Sequence, residues 1–438
     1  MSHWRQQVES FICGRRWIVA HDVAQATANV MQRVMELGAE DVLGIATSMG
    51  TGPLAPHDPD KLLVLDVQGK GLMGGIRASE EAFQNLPPSV LERIEAFDSK
   101  GEAAVLRPFF AKHPVIAGRR VFGVRPPEWQ ALEDKVVIDA VWDEAGIPRA
   151  PYRVVPVAEA ASVNAELDAG DGTVWAGDAK QGFNGGASYT RLIRSARDAA
   201  EATAWFAEGC DRVRVMPFLD GLPCSIHGLV APEDEHLVAV QPMEMLVLRG
   251  PSGFLYCGGA PNWRPRPEVH DAMRATARRM AAHLRDTLGY RGAFTMDGVA
   301  TREGFRPTEL NPRFGAALAP CNTADVPLTL LVDAMIEGLK LDYRMAALEP
   351  YLLGKLNEPR SHYCGVPLTV EVDQQRTLEL DEATLILGPS SAGSYLRIIL
   401  PDTTPIGPAV APRIVRLLRH AAETWDLPLD ELEAAPVY

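Results

Sequence analysis

Between Gly292 and Arg313 the chain carries two β-prone runs, Gly292–Thr301 and Phe305–Asn311, joined only by Arg302-Glu303-Gly304. Runs joined by so short a turn can only pair antiparallel. A three-residue turn with Gly304 at its left-handed position pairs residue 301 with residue 305. That register sets Asp297 opposite Glu309 and Thr295 opposite Asn311. Side chains alternate along a strand, so Glu309 and Asn311 share the face of Asp297. Two facing carboxylates repel, and a cation offsets the repulsion. Oxygen donors on a sheet suit Mg²⁺ shared with substrate phosphates, not zinc. The competing reading is a solvated hairpin whose acids are incidental. Pro307 weighs against the register, because it cannot donate a ladder hydrogen bond.

The segments around this hairpin alternate strand and helix. Residues 15–65 read as strand Arg16–Ala20, a helix from an Asp22 cap to Leu37 closed by Gly38, then strands Val42–Ala46 and Leu62–Val67. This pattern predicts an α/β layer with parallel strands. Neither Gly50-Thr51-Gly52 nor Gly69-Lys70-Gly71 has the spacing of a nucleotide loop. Residues 85–130, rich in Pro and charge, read as a crossing between domains. A helix is predicted from Pro127 to Ala145, capped by Gly146, and it contains Lys135, by default a solvated helix lysine. Strands follow at Arg153–Val157, Thr173–Lys180, Tyr189–Ile193, Arg212–Phe218, Ser225–Val230 and Leu237–Leu248, with a helix over 196–208. Met273, Ala277, Met280, Leu284 and Leu288 mark one face of a helix over 270–288 that Gly289 stops. Another helix runs from beyond Pro327 to Leu339, and a smaller α+β piece ends the chain.

Lys180 opens a loop containing Gly182, Gly185 and Gly186. Backbone N–H groups of glycines approach an anion closely, and a lysine adds a point charge. The loop joins two strands and opens no helix, so it is neither a P-loop nor a dinucleotide fingerprint. A plain flexible hairpin is the alternative. Met216, Phe218 and Leu219 end a strand ahead of Asp220-Gly221, where a base can be sandwiched or core simply packed.

Charge and cysteine usage exclude several functions. Lys plus Arg is 43 against 57 Asp plus Glu, a net charge of −14 among 438 residues, so bulk charge does not draw nucleic acid. Apolar residues at 47% and charged residues at 23% exclude wholesale disorder. No apolar run reaches the ~18 residues of a membrane helix, and Met1–Asp22 lacks the apolar core of a secretory leader. Six cysteines without a CxxC pair, and ten histidines without HExxH, fit reduced thiols in a cytoplasm, not a zinc site.

In order along Glu133–Lys340, about half of the chain, these segments resemble the ATP-grasp superfamily. Asp134-Lys135 through Ala145-Gly146-Ile147-Pro148 looks like the first ATP-binding lysine and its exit; Lys180 with Gly182, Gly185 and Gly186 looks like the second lysine and the phosphate flap. Arg214–Gly221 looks like the strand ending at the adenine hinge. Gly289-Tyr290-Arg291-Gly292, Asp297 and Glu309-Leu310-Asn311-Pro312-Arg313 look like the metal-binding core. The resemblance implies that Lys135 and Lys180 contact the α- and β-phosphates and that Met216, Phe218 and Leu219 hold the base. Asp297, Glu309 and Asn311 would carry two Mg²⁺ ions, with Mn²⁺ as a substitute. Arg313 would steady the transferring phosphoryl group, and the Gly315-Ala316 backbone, opening a helix, would bind a substrate carboxylate. Met216 stands where the superfamily often has Glu, and Cys224-Ser225-Ile226-His227 offers no ribose carboxylate. His227 is a lone candidate there, with a packed structural histidine as its ordinary reading.

The fold implied is α/β and α+β. A degenerate Rossmann-like domain spans 1–126. An ATP-grasp module of two α+β subdomains spans 127–345, its flap subdomain about 151–220, and a C-terminal α+β extension spans 346–438. The activity implied is ATP-dependent carboxylate–amine ligation through an acyl-phosphate, releasing ADP and phosphate. Its partners would be small carboxylates and amines, amino acids or peptides among them, with no nucleic acid or membrane; a homodimer is the assembly left open. The rivals are an ATP-grasp carboxylase or carboxylate–thiol ligase and a non-catalytic ATP-binding scaffold. A dehydrogenase ranks below them for want of a dinucleotide loop.

Overall fold

A computed structural model describes residues 2–50, 54–69, 71–107, 113–180, 182, 189–251, 253–368, 370, 372–390, 393–429 and 431–437. Four sheets organise them. The first holds β1 (Arg16–Val23), β2 (Asp41–Ser48), β3 (Leu62–Val64), β4 (Ala104–Leu106), β5 (Val115–Ile116) and β6 (Arg119–Phe122) in the order β3-β2-β1-β4-β6-β5. Every pairing except β5–β6 is parallel. Parallel sheets are covered on both faces, and β1 shows why. Trp17 and Val19 pack on one side with α1 (His3–Ile12) and α2 (Ala24–Glu36). Ile18 and Ala20 pack on the other, in a core that includes Phe83 of α3 (Gly71–Gln84) and Ile94 of α4 (Pro88–Phe97).

Two sequence expectations change here. Asp22 does not cap α2: Val23 takes that position, and the Asp22 carboxylate instead accepts hydrogen bonds from Ser79 and buried Arg107. Residues 85–130 are not a crossing, because β4 pairs with β1 and β6 with β4 inside the first sheet.

The second sheet is antiparallel, in the order β7-β10-β8-β9: β7 (Arg153–Pro156), β8 (Thr173–Gly177), β9 (Thr190–Ile193) and β10 (Arg212–Pro217). Before it lie α5 (Pro127–Gln130) and α6 (Ile138–Glu144). Helices α7 (Ala160–Leu167) and α8 (Ala196–Ala207) cover one face around Trp175, Phe206, Val213 and Val215. Alternation along β10 therefore turns Arg214 and Met216 to the other face. Helix α7 has a weak amphipathic pattern, and the sequence reading missed it.

The third sheet positions the site. It runs β14-β13-β11-β15-β16, with β12 on β11: β11 (Gly221–Val230), β12 (Val238–Ala239), β13 (Met243–Arg249), β14 (Phe254–Ala260), β15 (Gly292–Thr301) and β16 (Gly304–Asn311). Helix α9 (Pro267–Leu288) backs one face with fully buried Met273, Ala277, Met280 and Leu284. Burying a Met or Leu side chain of this kind contributes ~1.5–3 kcal/mol. Gly289 ends the helix at φ 58°, while Leu288, expected on the buried face, is exposed. With α9 holding Phe294 and Met296, the opposite face receives Thr295 and Asp297.

Helices α10 (Leu328–Glu337) and α11 (Met345–Leu356) join the same central core. The fourth sheet is β17 (His362–Leu368), β18 (Arg376–Leu380), β19 (Ala383–Ser390) and β20 (Gly393–Leu400), in the order β17-β20-β19-β18 and followed by α12 (Ala411–Trp425). Its core includes Leu246, Leu248 and Cys257 of β13 and β14, so the C-terminal piece is packed onto the site-bearing sheet. Glu244 of β13, fully buried, accepts the Val410 and Ala411 N–H groups at 2.6 and 3.0 Å, where α12 begins. No helix among the described residues is long and apolar enough to cross a membrane.

Candidate functional site

The hairpin reaches the expected pairing by another route. Its turn has two residues, Arg302-Glu303, and Thr301 pairs with Gly304. From there to Gly298–Pro307 the strands run one residue out of the expected register. A bulge at Thr308 then inserts an extra residue, and Asp297 pairs with Glu309 and Thr295 with Asn311 as expected. Pro307 lies beside the irregularity, where its missing N–H matters least. Gly298 is required opposite it, since a Cβ there would meet Pro307 Cα at 2.8 Å.

Five expected residues come together on the face away from α9. Asn311 Nδ2 donates to Asp297 Oδ2 at 2.8 Å, and an Arg313 amino group donates to Asn311 Oδ1 at 3.0 Å. Lys135 Nζ lies 3.2 Å from Glu309 Oε2. Lys135 is not the solvated helix lysine expected. The helix breaks between Glu133 and Ile138, where Asp134 Oδ1 accepts the Val136 N–H at 3.1 Å, and Lys135 is only 7% exposed. A short acidic side chain that bonds its own backbone competes with the helix.

Glu133 was not foreseen. It lies 3.4 Å from Arg313 Nε and accepts Arg125 at 2.7 Å, so it anchors the arginine from behind. Only the fold brings residues 125, 133 and 313 together. Tyr256 of β14 also escaped the sequence reading. It pairs with Val247, whose neighbours Leu246 and Leu248 face the C-terminal core, which leaves Val247 and Tyr256 on the opposite, site face. Burial pushes its phenol up to about 12, with Asp297 adding to the rise and Arg313 opposing it.

The other expected residues stand apart from this cluster. Lys180 is half-exposed and paired with Asp211 at 2.5 Å. Gly182 has φ 87°, while Gly185 and Gly186 lie outside the described residues. Met216 is buried at the end of β10, the Phe218 N–H donates to the Gly172 carbonyl at 2.9 Å, and Leu219 follows before β11. The Arg249 guanidinium stacks 4.8 Å from the Phe218 ring and bonds Asp220 at 3.0 Å. Gly315 caps and Ala316 opens the expected helix, a 3₁₀ helix of only 6 residues, so little dipole stands behind its N–H groups.

The donor set fits a hard cation. Burial first, then the Glu309 charge, pushes the Asp297 carboxyl up to about 7, while Arg313, Lys135 and Asn311 pull it down. A carboxylate whose charge costs this much without a counter-ion favours Mg²⁺ in an oxygen site. In that role Asp297, Glu309 and the Asn311 amide oxygen would be the ligands. The sign of the pH effect follows. The folded Asp297 holds a proton that the unfolded chain releases near pH 4, so metal-free stability falls as pH rises from about 4 to 7. Asp297→Asn is expected to remove up to ~1.4 kcal/mol per pH unit from that slope. Denaturant melts of both proteins in EDTA check it; equal slopes refute the shifted carboxyl.

A scan against protein-family models finds no match, and neither does a search of curated proteins. Solved structures resemble the chain over most of its length. Rhizobium etli pyruvate carboxylase superposes with TM-score 0.57 at 16% identity, over 96% of this chain and 38% of that one. The biotin carboxylase domain of Hydrogenobacter thermophilus 2-oxoglutarate carboxylase, solved with Mg-ADP and bicarbonate, gives TM-score 0.55 at 15% identity, covering 96% and 91%. Aspergillus clavatus carboxyaminoimidazole ribonucleotide synthase, solved with ATP, gives TM-score 0.53 at 12% identity, covering 94% and 99%. The chain has the ATP-grasp fold. Met216 belongs to the β7–β10 sheet, and Asp297, Glu309 and Asn311 to the β11–β16 sheet. Met216, Phe218 and Leu219 lie where the chain passes from one to the other.

Proposed function

We propose that this ATP-grasp chain is an ATP- and Mg²⁺-dependent ligase joining a carboxylate to an amine through an acyl-phosphate, with release of ADP and phosphate. The observation that carries the reading is the half-buried Asp297 and Glu309 beside buried Asn311, with Lys135 and Arg313 in contact. A non-catalytic scaffold has no need to keep such a set complete. When bound, Mg²⁺ would neutralise triphosphate oxygens and draw charge from the transferring phosphoryl group. The residues of the chain bind and orient. Lys135 exchanges Glu309 for a phosphate oxygen, and Lys180 exchanges Asp211 for another. Met216, Phe218 and Leu219 hold the base. Arg313 meets the moving phosphoryl charge, and the Gly315-Ala316 N–H groups receive the carboxylate. None of these residues makes a covalent bond to substrate; catalysis is positioning and preorganised charge.

The carboxylases among the similar structures supply the rival reading. Over Met243–Trp263 this chain has one basic residue, Arg249, and it is held by Asp220 and Phe218. That leaves β13 and β14 without a free cation for bicarbonate, which supports the amine ligase. Amino acids and peptides screened in pairs for ADP release, with product mass, test the proposal. Amide product with ADP supports it. Bicarbonate-dependent ADP release with biotin, and none with any amino acid, would move the assignment to the carboxylase. Lys180→Ala is expected to weaken Mg-ATP binding ~10-fold or more, one charged phosphate contact being worth ~1.5–3 kcal/mol. Unchanged affinity by calorimetry would remove Lys180 from the site.

A further inference from the structure

We propose that His227 and Thr295 are positioning residues that seat Gly315 and thereby hold the segment carrying Arg313 at the site. The proposal rests on the acyl-phosphate ligase reading, in which Arg313 meets the transferring phosphoryl group.

His227 and Thr295 face each other across β11 and β15. His227 Nδ1 lies 2.7 Å from Thr295 Oγ1, and its other ring nitrogen lies 3.5 Å from Ser225 Oγ. Both residues are buried, and burial pushes the imidazole down to about 3, so the ring is neutral. Thr295 pairs with Asn311 and lies two residues from Asp297 on the same strand. The pair therefore lies on the metal-binding face, next to the ligands.

After Asn311 the chain turns back at once: the Arg313 N–H donates to the Asn311 carbonyl at 2.8 Å. Two residues later it rests on the His–Thr pair. A Cβ at Gly315 would strike the His227 ring and lie 2.6 Å from Thr295 Oγ1. Gly315 has φ −86° and ψ 142°, a conformation open to any residue. Glycine is needed here for close approach, not for backbone freedom. Arg313 is thus tethered on three sides: by Asn311, by Glu133 and, through Gly315, by the floor that His227 and Thr295 form. A site of this kind tolerates displacements of only ~0.5 Å. A buried hydrogen-bonded pair also fixes one geometry, where apolar side chains of similar volume could slide.

The test uses carbamoyl phosphate and Mg-ADP, the reverse of the phosphoryl step with an acyl-phosphate probe. The bond from phosphorus to the carbamate oxygen breaks, a bond to the ADP β-phosphate oxygen forms, and ATP and carbamate result. Thr295→Val and Gly315→Ala are each expected to lower kcat ~10- to 100-fold, with KM for Mg-ADP within about twofold of wild type. Thr295→Ser, which restores the hydroxyl, is expected to recover most of kcat. Should Gly315→Ala fail to fold, Thr295→Val and its serine rescue decide alone. Wild-type kcat in Thr295→Val overturns the positioning role while the ligase reading stands. So does a parallel rise in KM for Mg-ADP, or a serine variant no better than valine, since either marks a general structural defect. A wild-type protein that makes no ATP from this probe overturns the acyl-phosphate reading itself, and the positioning role with it.

Discussion

Glu309→Gln is expected to abolish ADP-forming turnover while the protein stays folded. The substitution keeps the shape of the side chain and removes one of the two carboxylates, proposed as metal ligands, that face each other across β15 and β16. Charge neutralisation by a bound metal is worth several kcal/mol in a phosphoryl-transfer transition state. Losing ~4 kcal/mol of it lowers the rate ~10³-fold. Stability responds to two opposing changes. Asp297 is freed from the Glu309 charge that helps push its carboxyl up to about 7, while Lys135, 3.2 Å from Glu309, loses that partner. Once Glu309 is neutral, Asp297 ionises more readily and is the remaining anion near the lysine. The net change is expected to be within ~1 kcal/mol, or about 1 °C in Tm for a chain of 438 residues. ADP release and a thermal melt on the same preparation check both halves. Wild-type turnover with Mg²⁺ present would remove Glu309 from the metal site. A collapse in Tm would show that the Lys135–Glu309 pair holds the fold together.

The hairpin shows what the sequence made legible and why. Alternation along a strand is strict, so the face shared by Asp297, Glu309 and Asn311 followed once the pairing was assumed. The turn was misjudged by one residue, and the Thr308 bulge corrected it. A bulge changes a register without changing composition, and only Pro307 and Gly298 hinted at one. The parallel first sheet followed from the strand–helix alternation of residues 15–65, but β4 did not. A strand of three residues, Ala104–Leu106, is too short to show a period, and its neighbours β1 and β6 are not adjacent to it in sequence. Lys135 was placed on a helix because one helix was read from Pro127 to the Gly146 cap, and Lys135 falls within it. Asp134, whose side chain takes up the Val136 N–H, was the local signal of the break. Glu133 and Tyr256 left no trace in the sequence, and His227 and Thr295 were visible singly but not as a pair, because each acts through residues far away in the chain. The Lys180–Asp211 pair adds a charge partner that spacing does not reveal.

Arg313→Ala is expected to retain Mg-ATP binding and lose ~10²–10³ in turnover, the cost of one preorganised contact to developing charge, ~2.7–4 kcal/mol. Binding survives because Arg313 is held by Asn311 and Glu133, away from the Met216 segment proposed to hold the base. Folding survives because Glu133 keeps Arg125, 2.7 Å away, so no buried carboxylate is left without a cation. Arg313→Lys is expected to recover little, since an ammonium cannot reach Asn311 and Glu133 while meeting a phosphoryl oxygen as a planar guanidinium does. The step affected is formation of the acyl-phosphate, and hydroxylamine isolates it. With ATP, Mg²⁺ and the correct carboxylate, the wild type is expected to give a hydroxamate and ADP without its natural amine. Arg313→Ala should make hydroxamate slower by the same factor as full turnover. A hydroxamate rate left intact while amide formation falls would shift Arg313 from the phosphoryl group to the amine. AMP as the stoichiometric product would replace the acyl-phosphate with an acyl-adenylate, and then neither Arg313 nor the metal ligands would have the roles given them here.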